Sequence, residues 1–399
     1  MTARRDDVDK SPASTGAAII AAVLRYDAKT TSYKIALLRA LNDVVLGYPE
    51  IDVHAAAGKA VAVPLRLLAD RWIAFYWPFS APGNPILQGR ESVVGGVRRN
   101  DLSFRPALSA LCLQWEALRV SPRAGDGFLL ISDMELSRKR AAFPPSLLNA
   151  YTVTLRAVMT ALEMPIRHAG PSGAEYGVFP KPRRLDRFDA ASTVALPGAE
   201  ATEVGVAVPP TLWIAFRELS LYVEALCVHE WALFTERLPS GIPRGEAYAL
   251  LTDRPDNRVP LTWERNHVNI LLMEGQRFTC PWTERTIVRP DDYDLDHLIP
   301  VSVYAVNALW NLVPADRAFN QKIKRDRLPS DARLARAEPY LSDAYRRYAL
   351  SAPLGRALAE DAATYFAVPL NHDEQPAALA RATVGFASRI ATARNLPTF

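Results

Sequence analysis

The sequence predicts a mainly α-helical protein that carries a small α+β module in its last third. Apolar residues recur at intervals of three and four over Thr31 to Leu46, Pro64 to Tyr76 and Pro210 to Leu238, which is typical of helices with one buried face. Between residues 277 and 325, short extended segments precede one short helix. This order predicts a strand pair capped by that helix.

The composition is that of an ordinary globular protein. The chain has 399 residues, of which 49% are hydrophobic and 23% charged, and these fractions exclude fibrous and wholly disordered classes. The length exceeds one typical domain, so we expect two domains or one core with an appended module. The net charge of +4 is compatible with nucleic-acid binding and does not by itself indicate it.

The cysteines and the apolar runs of the sequence indicate the cellular compartment of the protein. Cys112, Cys227 and Cys280 are odd in number and far apart, so they predict neither a disulfide framework nor a four-cysteine zinc site. The longest early apolar run, Ala17 to Leu24, is too short for a membrane span or a signal peptide. We therefore expect a cytoplasmic protein without a membrane partner.

Turn-forming residues suggest where the chain divides. Residues 1–16 are polar and rich in such residues, which predicts a flexible tail. Residues 165–209 mix Gly, Pro and charge, and we predict a connector there with one short hairpin. The predicted organisation is a tail over 1–16, a helical N-terminal domain over 17–164, this connector, a helical extension over 210–260, an α+β module over 261–330 and C-terminal helices over 331–399.

A nucleotide-binding loop is not predicted. Gly58 and Lys59 form a Gly-Lys pair, but Ala60 stands where the loop requires Ser or Thr. If ATP drives this protein, a partner polypeptide must supply the motor.

Residues able to bind a metal and activate a water lie close together between 293 and 329. The imidazole of His297 has an ordinary pKa near ~6.5, which suits a general base at neutral pH. Asp296 and Asn320 offer oxygen ligands of the kind that Mg²⁺ or Mn²⁺ prefers. Asp294 lies on the same strand face as Asp296 and is an alternative ligand.

These residues resemble the motif of the HNH endonucleases and their ββα-metal fold. Asp296 and His297 adjoin in DHLIP, Asn311 opens NLVP, and Asn320 follows nine residues later. The similarity is closest to HNH nucleases such as the HNH domain of the RNA-guided CRISPR effector, and it covers about an eighth of the chain. It implies that a helical body carries a ββα-metal HNH nuclease domain.

The resemblance also implies roles. His297 would be the general base, Asp296 and Asn320 would hold the cation, and the Asn311 amide would bind backbone across the loop and hold His297 in place. The products would carry a 5′ phosphate and a 3′ hydroxyl, in a prokaryotic defence or mobile-element system. One departure is clear: many HNH proteins carry a zinc held by two CxxC pairs, whereas Cys280 stands alone, so no structural zinc is expected.

Positive charge is concentrated after Asn320. Such a run is often a solvated helix face, but beside a nuclease motif it predicts contacts to DNA phosphates, with RNA the less expected substrate. The alternatives left open are an inactive nucleic-acid-binding or scaffold subunit and an HNH-type RNase or toxin; a partner ATPase or sensor subunit is a further expectation. The predicted nucleic-acid-binding residues are Lys322, Lys324, Arg325 and Arg327.

Overall fold

The computed structural model divides the chain into two compact units. Unit 1 is Met1–Ile131 with Pro144–Arg254, and unit 2 is Ser132–Phe143 with Pro255–Phe399. Helices account for 61% of the residues and strands for about 10%, so the predicted mainly α class is confirmed. The structure describes residues 12–89, 92–94, 97–99, 101–119, 122–170, 174–239, 241–253, 261–300, 307–366, 374–394 and 397–399.

Helices form most of unit 1. The longest, α10, begins at Pro210, where a first-turn proline leaves no backbone donor unpaired, and it packs against α1, α2 and α11. Nearly every side chain of α2 is buried, which places this helix in the core. The helices up to residue 254 are α1 (Pro12–Arg25), α2 (Tyr33–Gly47), α3 (Asp52–Ala56), α4 (Leu65–Tyr76), α5 (Arg105–Glu116), α6 (Asp126–Glu135), α7 (Ser137–Arg140), α8 (Pro145–Ala161), α9 (Glu163–His168), α10 (Pro210–Glu236) and α11 (Arg244–Thr252).

Two of these boundaries differ from the expected organisation. The helix α1 begins at Pro12, inside the segment predicted as a tail. The boundary between the two compact units falls within α6, so Ser132–Phe143, which contains α7, belongs to unit 2 rather than to an N-terminal domain.

A four-stranded sheet was not foreseen in unit 1. Its strand order is β4–β6–β1–β5, with β1 antiparallel to β6 and parallel to β5. Three of the four strands lie in the segment predicted as a connector. They were not predicted because each is short and because β5 and β6 pair with β1, which is distant in sequence; β4 pairs with β6. The strands of unit 1 are β1 (Ala60–Pro64), β2 (Ser92–Val94), β3 (Val97–Arg99), β4 (Arg183–Arg184), β5 (Thr193–Ala195) and β6 (Val204–Val208); β2 and β3 form a separate hairpin.

Gly205 explains how closely β6 approaches β1. A Cβ atom at this position would stand 2.6 Å from Cδ2 of Leu185 and 2.8 Å from the carbonyl oxygen of Val63. Only glycine fits there without displacing the neighbouring strand.

Unit 2 holds the predicted α+β module and the C-terminal helices around one hydrophobic core. The Trp310 ring packs at its centre against the rings of Tyr365, Phe366 and Phe386. The elements are α12 (Thr262–Met273), β7 (Phe278–Thr279), β8 (Thr286–Ile287), β9 (Tyr293–His297), β10 (Leu312–Asp316), α13 (Arg317–Phe319), α14 (Asp331–Tyr348), α15 (Ala352–Tyr365) and α16 (Gln375–Arg394).

Helix α14 fixes the strand that faces the candidate site. The hydroxyl of Tyr345 donates to the carbonyl of Trp310 at 2.5 Å, and the hydroxyl of Tyr348 donates to the carbonyl of Leu312 at 2.9 Å. Both tyrosines are fully buried. Since these bonds hold the start of β10, the α+β module depends on the C-terminal helices for its geometry.

No helix in the described part of the chain combines the length and the apolarity that crossing a bilayer would require.

Candidate active site

Two antiparallel strands followed by a helix form the scaffold of the site. In the register of β9 and β10, Leu312 lies opposite His297 and Val313 opposite Asp296. After β10 the chain enters α13, whose first turn is capped by the Asp316 side chain accepting from the amide of Phe319 at 3.0 Å. Residues Asn320–Lys324 then form a π-helical turn. This is the ββα order that the sequence predicts.

His297 lies at the end of β9 and is partly buried. Its Nε2 stands 2.7 Å from Oδ1 of Asn307, which is itself buried. An amide oxygen only accepts hydrogen bonds, so this contact requires the ring proton on Nε2 and leaves the lone pair on Nδ1. Burial lowers the pKa of His297, which favours the neutral imidazole that a general base requires.

Asn311 closes the loop that follows His297. Its side-chain oxygen accepts from the amide of Ile299 at 2.8 Å, and its side-chain nitrogen donates to the carbonyl of the same residue at 3.1 Å. The amide of Leu298 donates to the backbone carbonyl of Asn311 at 2.8 Å. These three bonds tie the two residues after His297 to the start of β10, and therefore fix where the imidazole points.

Asp296 lies in a buried ion pair. The Lys324 ammonium stands 2.9 Å from Oδ1 of Asp296, and the indole of Trp282 donates to Oδ2 at 3.2 Å. Lys324 also donates to the backbone carbonyl of His297 at 2.7 Å. Both carboxylate oxygens of Asp296 are therefore engaged by the protein.

Asn320 contacts a different carboxylate. Its side-chain nitrogen stands 3.5 Å from Oδ2 of Asp294, to which Gln321 also donates at 3.0 Å. Arg317 donates to the other oxygen of Asp294 at 3.1 Å. The structure thus places Asn320 beside Asp294, the alternative ligand considered from the sequence, whereas Asp296 is paired with Lys324.

In this arrangement the two predicted ligands, Asp296 and Asn320, have different hydrogen-bond partners. Carboxylate and amide oxygens suit Mg²⁺ chemically. However, Lys324 and Trp282 occupy the oxygens of Asp296, while Asn320 faces Asp294. Within the described residues, no group of three or more His, Cys, Asp or Glu side chains is placed to hold a metal.

The four residues predicted to bind nucleic acid lie in two environments. Lys322 and Arg325 are exposed, and Arg327 is partly exposed with its guanidinium 5.9 Å from the centre of the Phe399 ring. Lys324 is 1% exposed and faces inward instead, because its ammonium finds a carboxylate and a carbonyl there. Three of the four therefore lie where phosphate could reach them.

Sequence reasoning missed three residues that shape the site. Asn307 contacts His297, and the sequence gives no sign of it beyond a polar residue in an apolar stretch. Trp282 donates to Asp296 from the turn between β7 and β8, where no site residue was predicted. Asp361 of α15 accepts from the amide of Leu309 at 2.7 Å and from Arg138 at 2.5 Å, and burial raises the pKa of Asp361 to about 6.

Comparison with known families addresses both units. A family model described as "Domain of unknown function (DUF8808)" matches residues 13–251, more than half of the chain. The chain belongs to the DUF8808 family. A second family model, described as HNH endonuclease, matches residues 280–330 of this DUF8808 protein, which confirms the resemblance seen in the sequence. No curated protein and no solved structure matches it significantly.

The HNH match covers the scaffold described above. It begins at Cys280, includes β9, β10, α13 and the π-helical turn, and ends at Ser330. An HNH endonuclease domain indicates nuclease activity, hence a hydrolase acting on nucleic acid. The DUF8808 match ends within unit 1 and carries no activity in its description.

Proposed function

We propose that this DUF8808 protein is an HNH endonuclease that hydrolyses phosphodiester bonds of DNA, with His297 as the general base. The observation that supports this most strongly is the contact between His297 Nε2 and Asn307 Oδ1 at 2.7 Å. It fixes the tautomer and the orientation of the ring and leaves Nδ1 as the proton acceptor. Among the described residues, none forms a hydrogen bond with Nδ1.

The reaction uses this lone pair directly. Nδ1 of His297 takes a proton from a water molecule, and the resulting hydroxide attacks the phosphorus. The bond between phosphorus and the 3′ oxygen breaks, and the leaving oxygen takes a proton from solvent. The products carry a 5′ phosphate and a 3′ hydroxyl. Asn311 and Asn307 act by holding the base, as hydrogen-bonding residues behind a reacting group do.

The proposal includes a divalent metal cofactor, because such a metal is typical of the HNH family. HNH nucleases typically use a divalent metal, and Mg²⁺ or Mn²⁺ is the ion that oxygen ligands would select. Because the side chains in this arrangement do not offer a shared centre, no step is assigned to the ion. Asp296 would be open to a cation only without Lys324 on its oxygen.

The basic surface supports a nucleic-acid substrate. Lys322, Arg325 and Arg327 follow Asn320 within seven residues and are wholly or partly exposed. Phosphate contacts of this kind give sequence-independent affinity. We propose DNA rather than RNA as the substrate. The proposed setting is a prokaryotic defence system in the cytoplasm, in which a partner ATPase or sensor subunit controls the nuclease.

One observation favours a second candidate function. The ion pair between Lys324 and Asp296 is what a nucleic-acid-binding subunit with an inactive HNH domain would show, since it occupies a predicted metal ligand. Such a protein would bind nucleic acid and leave it intact.

A cleavage assay separates these functions. The full chain is incubated with labelled duplex DNA and with RNA of the same sequence, each with MgCl₂, with MnCl₂ or with EDTA. The proposed nuclease cuts DNA with either ion and not with EDTA. Cleavage of RNA alone would identify an RNase, and binding without cleavage under every condition would identify the inactive subunit.

A further inference from the structure

The disagreement between the predicted cation site and the observed side chains centres on Lys324. Its ammonium is buried between Asp296 Oδ1 at 2.9 Å and the carbonyl of His297 at 2.7 Å. The exposed fractions of the Lys324 and Asp296 side chains are 1% and 6%. An ionised carboxylate at that depth needs a counter-charge, and Lys324 provides it.

A divalent cation and the Lys324 ammonium compete for the same oxygen. Trp282 donates to Oδ2 of Asp296, and Lys324 contacts Oδ1, the oxygen that has no other hydrogen-bond donor among the described residues. Two cations in contact with one buried oxygen would repel each other strongly at low dielectric. The two occupants of Asp296 therefore exclude each other.

The segment that carries Lys324 has an unusual backbone conformation. Asn320–Lys324 is a π-helical turn, closed by the amide of Arg325 donating to the carbonyl of Asn320 at 2.8 Å. Arg325 ends it with a φ of +51°, a strained conformation for a residue other than glycine. Single π-helical turns are rare in proteins and are frequent at functional sites.

We infer that Lys324 is the resting counter-ion of Asp296 and that a divalent cation binds there only when the π-helical turn withdraws Lys324. This inference rests on the proposed function for the identity of the site, and it adds a control step to it. At rest, Lys324 closes the site to a cation.

Lysine labelling on the unaltered full chain tests the exchange. Acetylation with an N-hydroxysuccinimide ester is followed by mass spectrometry at Lys324 and at Lys322, which is exposed on the same turn and serves as the matched control. Without added metal, Lys322 is labelled and Lys324 is protected. Adding MnCl₂ raises labelling of Lys324 by about tenfold or more and leaves Lys322 unchanged. Binding of Mn²⁺ is followed in the same samples by electron paramagnetic resonance.

Two results overturn the inference: Mn²⁺ binds while Lys324 stays protected, or Mn²⁺ does not bind at all. Failure of the proposed function alone would give a different result. Mn²⁺ would then replace Lys324 at Asp296, but the protein would cut no nucleic acid.

Affinity measurements on variants give a second, independent readout. Lys324→Met removes the competing charge and should raise Mn²⁺ affinity by about 10- to 1000-fold, the factor by which a minor open state limits binding. Asp296→Asn should abolish that binding, and Lys322→Met should leave it as in the unaltered chain. Unchanged affinity in a folded Lys324→Met protein would contradict the inference; if this variant does not fold, the labelling experiment decides alone.

A cavity in unit 1 supports a second inference. The cavity has a volume of about 560 Å³, within the range of small-molecule sites, and it is lined by the connection between α1 and α2 and by the end of α8 with α9. Its lining includes the apolar residues Ala161, Met164 and Pro165 and the hydroxyl-bearing residues Thr30 and Ser103.

The charges around this cavity leave one cation without a carboxylate. Lys34 is paired with Asp27 at 2.7 Å, and Asp101 is paired with Arg105. Lys29 donates to the backbone carbonyl of Asp27 at 3.0 Å, and no carboxylate of the described residues lies within salt-bridge distance of it. Burial lowers the pKa of Lys29, and the carboxylates of Glu230 and Asp27 act on it in the opposite direction from beyond salt-bridge distance.

We propose that this cavity binds a small organic anion, with its charged group on Lys29 and an apolar or aromatic body against Met164 and Pro165. Lys29 also lines a second cavity of about 360 Å³, so it stands between two spaces that a ligand could fill. The site lies wholly within unit 1, and the proposal is independent of the nuclease assignment.

Calorimetric titration of the full chain tests this with three probes: inorganic phosphate, 5′-AMP and 8-anilinonaphthalene-1-sulfonate. The two organic anions should bind more tightly than inorganic phosphate, because only they bury apolar surface. Lys29→Gln should weaken their binding by about tenfold or more, the usual value of a charged hydrogen bond, while the exposed Lys181→Gln should have no effect. Binding of none of the probes, or equal binding to Lys29→Gln, would overturn the proposal.

Discussion

The ring Nε2 of His297 and the side-chain oxygen of Asn307 lie 2.7 Å apart, and this contact decides which nitrogen of the histidine can accept a proton. Asn307 is buried, so water does not compete for the bond. The proposed base is therefore oriented by a residue ten positions away on the following loop.

Removing this contact should reduce turnover without removing the base. Asn307→Ala is expected to lower kcat by about 10- to 100-fold and to leave KM nearly unchanged, because the ring loses its orientation while the substrate contacts remain. Asn307→Asp keeps an acceptor and should retain more activity. The exposed Asn149→Ala serves as control. Equal kcat for Asn307→Ala and the unaltered chain would show that the contact has no catalytic consequence.

Asn311 should matter first for the loop after His297. Asn311→Ala leaves the amide and the carbonyl of Ile299 without their partners, which costs about 1–3 kcal/mol for each buried group. Hydrogen exchange measured on a peptide that contains Ile299 should therefore accelerate. Exchange as slow as in the unaltered chain would mean that the loop keeps its structure without Asn311.

Asp361 should make the stability of unit 2 depend on pH. Burial raises the pKa of Asp361 from 3.8 to about 6 in the folded protein, so the folded state holds a proton that the unfolded state has lost between these values. Asp361 contributes about 3 kcal/mol to the free energy of unfolding in this way. This contribution is fully present below about pH 4 and is lost as the pH rises through about 6.

Comparing the unaltered chain with Asp361→Asn isolates this contribution. The unfolding free energy of the unaltered chain should fall more steeply between about pH 4 and pH 7 than that of Asp361→Asn. Identical slopes for the two proteins would exclude Asp361 as the titrating group.

The exposed basic residues should set the salt dependence of DNA binding. Replacing Lys322 and Arg325 together by alanine should weaken binding to every duplex alike and reduce the slope of log affinity against log salt by about 1.8, since each phosphate contact contributes about 0.9. Lys181→Ala, exposed in unit 1, should leave the slope unchanged. An unchanged slope in the double variant would place the DNA contacts elsewhere.

Local patterns predicted the helices and the ββα order well because those depend on neighbouring residues. The spacing of Asp296, His297, Asn311 and Asn320 was sufficient to locate the HNH domain. The sheet of unit 1 was not predicted, because β1 pairs with β5 and β6, which lie more than a hundred residues later in the sequence. Lys324 was predicted to bind nucleic acid because it lies in the run of positive charge after Asn320, and that pattern says nothing of the buried carboxylate that draws it inward.

The most direct test of the proposed function replaces His297 by alanine in the full chain and follows cleavage of a labelled DNA duplex with MgCl₂. The substitution should abolish cleavage, while thermal unfolding and duplex binding stay as in the unaltered protein, because the base is lost and the scaffold is not. Cleavage by a folded His297→Ala protein at the rate of the unaltered chain would contradict the proposed mechanism.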